Sequence, residues 1–158
     1  AKPGEVLIVP GAKDFAVFAG SDETGGFWDL AAVAAKLPEG TYRLAGEVAK
    51  PTLGWLLAHY RFDRYRNDAT PLPARILLTN DAAGIAATLA EAEAVAFVRD
   101  LVNAPAAEMG PAELQREAED LAKRHGARLQ VTKGHDLETG FPMIHTVGAA
   151  ADKRFAPR

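Results

Sequence analysis

The sequence predicts an α/β fold, in which a small mixed sheet flanked by helices is followed by a long linker helix and an incomplete helix–strand unit of a second domain. Three patterns carry this reading. Short β-branched runs interleave with helix-forming stretches over residues 1–80, and an alanine-rich apolar stripe follows at helical spacing. One further amphipathic helix then leads into a strictly alternating segment.

The first two strands are residues 6–9, stopped by Pro10 and Gly11, and residues 15–18, which end before Gly20. A polar, glycine-containing loop spans 21–26. Residues 28–36 then have helix-forming composition and stop before Pro38 and Gly40, and residues 42–44 read as a third strand. Leu53, Leu56, Leu57 and Tyr60 recur at i, i+3, i+4 and i+7, which lines one side of a helix, and Pro51 suits its first turn. This helix is expected to run on into the aromatic tract at 60–66. Within 74–79, Ile76, Leu77 and Leu78 form a continuous apolar run of the kind found in a strand covered on both faces.

Asn80 or Asp81 can cap the long alanine-rich helix, whose stripe includes Ile85, Leu89, Ala92 and Ala96. It should end near Asn103, because Pro105 biases Ala104 away from the helical region. The next helix opens at Gly110 and Pro111, carries Leu114, Ala118, Leu121 and Ala122 on one face, and stops at Gly126. Its other face offers the i,i+4 pairs Glu119–Lys123 and Asp120–Arg124, each worth about 0.2–0.5 kcal/mol. Residues 127–132 alternate so as to bury Ala127, Leu129 and Val131. A lone helix and strand at 111–132 cannot bury both faces, so neighbouring strands are expected beyond Arg158. The domain reading is an amino-terminal α/β domain at 1–80, a linker helix and loop at 81–110, and the start of a second domain at 111–158.

With 48% hydrophobic and 25% charged residues, the 158-residue chain has the profile of one ordinary domain or two small ones. The net charge of -3 does not favour polyanions such as nucleic acid. The absence of cysteine excludes disulfides, thiol catalysis and thiolate metal sites, and agrees with a reducing compartment. No stretch approaches the roughly 20 apolar residues of a membrane span, and the start is no signal peptide, so the default expectation is cytoplasmic. Residue 1 is not methionine, and residues 155–158 stop in a turn-like segment, so a piece of a longer protein is expected at both ends.

Candidate chemistry is sparse. Among His59, His125, His135 and His145 there is no i,i+4 ligand pair and no H-E-x-x-H. His125 falls in a last helical turn, where the dipole favours a cation, and His135 with Asp136 is read as a coincidence of neighbours. Arg61, Arg64 and Arg66 interleave with Tyr60, Phe62 and Tyr65 in the manner of a small nucleic-acid surface, but Asp63 and Asp68 dilute the charge. A helix end packed through its aromatics is the better reading of that tract. The G-S-D-E-T-G-G stretch at 20–26 lacks the G-x-G-x-x-G pattern and the P-loop lysine, and its two acids would repel phosphate. No G-x-S-x-G is present. On the residues alone, a freestanding α/β module for a nucleotide-like ligand or a protein partner stays open by analogy of fold.

The run R-D-L-V-N-A-P-A-A-E-M-G-P-A-E-L at 99–114 resembles the segment that joins the two domains of leucyl (cytosol) aminopeptidases. In that family R-D-L-x-N-x-P is followed by a proline and a leucine at these offsets. Y-R-F-D-R-Y at 60–65, residues 122–126 and F-P-M-I-H-T-V-G at 141–148 resemble the same family in the same order. Ala106 and Ala107 depart from it, since the family often has an asparagine there. The resemblance implies the amino-terminal fragment of a hexameric, cytoplasmic metallo-aminopeptidase that releases amino-terminal residues from peptides with two divalent ions, zinc or manganese. It also implies that a lysine, aspartates and a glutamate of a carboxy-terminal catalytic domain hold these ions, the last pair in N-T-D-A-E-G-R-L. That motif is absent here. T-N-D-A-A-G at 79–84 is only superficially similar, because Ala83 stands where a ligand glutamate is required. Asn80 and Asp81 are therefore read as strand-end and helix-cap residues. No catalytic, cofactor-binding or metal-binding residue is assigned, and the chain alone is expected to be inactive.

Overall fold

The computed structural model describes residues 2–21, 27–45, 51–68, 70–80 and 82–149. It divides into two compact units, Ala1–Arg99 and Asp100–Arg158. The division falls inside the long helix, within the expected linker region.

In the first unit, β1 (Val6–Pro10) and β2 (Phe15–Ala19) pair antiparallel, from Val6 opposite Ala19 to Pro10 opposite Phe15. Their connection is closed by the Gly11 N–H donating to the Asp14 carbonyl at 2.7 Å. A Cβ on Gly11 would lie 2.9 Å from that same carbonyl oxygen, so the turn requires glycine. Helix α1 (Phe27–Ala34) leads to β3 (Gly40–Arg43), and α2 (Pro51–Leu57) crosses over to β4 (Arg75–Leu78). Strands β3 and β4 are parallel, a pairing that requires such a crossover connection. Both pairing senses thus occur among the described residues, in two two-stranded ladders.

The core lies where α1 meets α2. Leu30, Val33, Ala34 and Leu37 follow the i, i+3, i+4, i+7 spacing and close on Trp55, with Val6, Val17, Tyr42 and Leu77 packed against them. The Trp55 indole N–H reaches the Arg75 carbonyl at 3.3 Å, and Arg75 Nε donates to the Leu37 carbonyl at 2.6 Å. These two bonds tie β4 to α2 and to the turn that follows α1. The Tyr42 ring sits 5.7 Å from Phe15 and 5.6 Å from Trp55, so an aromatic row runs from the hairpin through β3 to α2.

Burial pushes the Tyr42 hydroxyl above the ordinary tyrosine value of 10.0, while nearby Arg75 pulls it the other way. The hydroxyl also donates to the Pro38 carbonyl at 2.7 Å, a bond only the neutral phenol makes. A folded value above the unfolded one means that this stabilisation is complete below about pH 10 and is lost as pH climbs through the raised value. Tyr42→Phe is expected to flatten the alkaline loss of stability, read as urea midpoints between about pH 8 and pH 11. Equal slopes for the two proteins would contradict it.

Several local expectations are corrected. Helix α2 ends at Leu57, and the His59 and Tyr60 N–H groups make i−3 bonds to Leu56 and Leu57, so the 60–66 tract does not continue the helix. Strand β4 is covered on one face only: Leu77 turns inward, while Ile76 and Leu78 are 55% and 45% exposed. An apolar run too short to show periodicity cannot distinguish the two cases. Asn80 does not cap α3 (Ile85–Asn103), which starts five residues later with the Gly84 carbonyl taking both the N–H and the hydroxyl of Thr88. Asp81, the other proposed cap, lies outside the described residues. None of the α3 residues is buried, so its alanine-rich stripe is only partly covered.

In the second unit, α4 (Pro111–His125) has the ends that its sequence dictates. Pro111 opens it after an extended Gly110. Gly126 closes it at φ 61°, and the Ala127 N–H returns to the Ala122 carbonyl at 2.8 Å in a Schellman arrangement. A Cβ on Gly126 would meet nothing within 4 Å, so its role is purely conformational. Gly126→Ala should therefore cost about 1–2 kcal/mol of α4 stability, measured as lost helicity in urea by circular dichroism; an unchanged curve would rule this out.

On α4 the ion pairs Glu113–Arg116 and Asp120–Lys123, the latter at 3.4 Å, stand at i,i+3 where i,i+4 pairs were expected, and Glu119 accepts from Gln115 at 2.6 Å. Residues 127–132 form no ladder among the described residues, and Leu129 and Val131 stay 42% and 41% exposed. The alternation is a strand pattern without a partner strand. Two short helices follow, α5 (His135–Gly140) and α6 (Pro142–Ala149), packed on each other with Leu137 buried.

Candidate functional site

The 60–66 tract turns back on itself. Arg61 donates from Nε to Asp63 Oδ2 at 2.6 Å and from a terminal nitrogen to the Thr70 carbonyl at 2.6 Å. Arg66 lies 3.7 Å from Asp68, and Phe62 meets Tyr65 edge-on at 5.6 Å. Two of the three arginines are therefore paired with the aspartates that dilute them. The Arg99 guanidinium stands over the Tyr60 ring at 5.2 Å, a cation–π contact worth about 0.5–2 kcal/mol. This contact joins the first residues of two of the family-like stretches, which the sequence alone could not pair.

The histidines do not converge. His59 packs 5.7 Å from Trp55, and its Nδ1 lies 2.8 Å from the Trp55 carbonyl; its buried Nε2 and the buried Asp63 Oδ1 lack hydrogen-bond partners. His125 is exposed in the last turn of α4, His135 lies 3.7 Å from Glu138 at the start of α5, and His145 is half-buried in α6. Among the described residues, no three His, Asp or Glu side chains come together in a way that could hold an ion. Asn80 sits exposed just after β4. Of the G-S-D-E-T-G-G stretch, residues 22–26 lie outside the described residues, and the Ser21 hydroxyl donates to Asp29 in the first turn of α1 at 2.6 Å.

The 99–114 stretch is a helix–turn–helix join. Asn103 ends α3, Ala104 is buried with its N–H on the Asp100 carbonyl, and the Pro105 carbonyl receives the N–H groups of Glu108 and Met109 at 2.8 and 2.9 Å. Gly110 then opens α4. Residues 141–148 fall almost wholly on α6.

An α/β unit thus runs through one long helix into the opening helix of a second unit. Residues 1–79 match the family model of the M17 aminopeptidase N-terminal domain, and residues 96–158 match that of the cytosol aminopeptidase family catalytic domain. The chain belongs to this M17 cytosol aminopeptidase family.

Solved structures agree. The cytosol aminopeptidase from Coxiella burnetii superposes with a TM-score of 0.81 at 28% identity, over 96% of this chain and 34% of that one. The bottromycin maturation enzyme BotP in complex with Mn gives 0.72 at 29% identity over 95% and 37%. A second BotP structure gives 0.71 at 31% identity over 96% and 38%. The chain thus spans little more than a third of the length of these relatives.

Proposed function

We propose that these 158 residues are the amino-terminal framework of a metallo-aminopeptidase that removes amino-terminal residues from peptides. The observation that carries the reading is the ordered match of two domain models, the first ending at residue 79 and the second beginning at residue 96 within α3. On this reading residues 1–80 form the amino-terminal domain, 81–110 the linker and 111–158 the start of the catalytic domain. Two divalent ions, zinc or manganese, would polarise the scissile carbonyl and activate water in the complete enzyme. The manganese named for BotP supports that metal class. A hexameric assembly and a cytoplasmic location belong to the same reading, and no described helix is long and apolar enough to cross a membrane.

The described residues do not fit a two-metal centre, because their carboxylates and imidazoles are dispersed. No step of hydrolysis is therefore assigned to their side chains. The purified chain is expected to show no turnover of leucine p-nitroanilide with added manganese or zinc. A covalent fusion to the part of the Coxiella burnetii enzyme beyond the matched segment should gain metal-dependent turnover. Hydrolysis by the pure chain would overturn the framework assignment, and an inert but folded fusion would overturn the aminopeptidase assignment.

A further inference from the structure

We draw no further inference here: the strongest candidate, the open cavity on the β1–β2 hairpin of the first unit that Glu5, Leu7, Ile8, Phe18 and Lys36 line, carries nothing because no feature of the structure shows what covers its exposed apolar side chains Leu7 and Phe18.

Discussion

Trp55→Ala is expected to destabilise the amino-terminal unit by about 3–5 kcal/mol, the usual cost of truncating a large buried aromatic. Trp55 is 4% exposed and is the one residue of α2 in the core cluster with α1. Its ring also contacts Tyr42 and His59, and its N–H holds the first residue of β4. The loss is large against the roughly 5–15 kcal/mol that holds a domain of ordinary stability. The urea midpoint of far-UV circular dichroism should fall accordingly. Trp55→Phe keeps most of the apolar contact and loses the bond to Arg75, so it should cost about 1–3 kcal/mol. A Trp55→Ala protein within about 1 kcal/mol of the parent would show that the core is not organised around this indole.

The parts of the fold legible in the sequence are those fixed by local chemistry. Pro10 and Gly11 mark the hairpin turn, Pro105 fixes the end of α3, and Gly110, Pro111 and Gly126 fix both ends of α4, because each imposes a backbone angle or removes a donor at its own position. What could not be read depends on distant partners. The apolar periodicity runs through Tyr60, yet α2 stops at Leu57 and the Tyr60 ring instead meets Arg99 on α3. The apolar character of Ile76, Leu77 and Leu78 does not by itself reveal that only Leu77 faces the core, since Ile76 and Leu78 need a second covering layer to be buried. Residues 127–132 have the side-chain alternation of a strand, but a strand exists only when another is beside it. The same distinction applies to function: the motif at 99–114 identified the family, whereas its contact through Tyr60 emerged only from the fold.

Amide exchange should separate the two units sharply, with protection in α1 and α2 about a hundredfold or more above that in α5 and α6. Leu30, Val33, Leu37, Leu53, Trp55 and Leu57 are all buried in the first unit, and each contributes about 1.5–3 kcal/mol when fully removed from water. Of its hydrophobic side chains, the described part of the second unit buries only Ala104 and Leu137. Its helices α5 and α6 have 6 and 8 residues, and isolated helices shorter than about 12–15 residues are marginal in water. Met143 at 83% and Val147 at 78% exposure show that α6 gains little from packing. A hundredfold ratio needs a difference of only about 2.7 kcal/mol in opening free energy, less than two buried leucines supply. The measurement is hydrogen–deuterium exchange by mass spectrometry on the chain alone. Equal protection throughout, with one cooperative melt, would mean that the second unit draws its stability from something other than its own buried side chains.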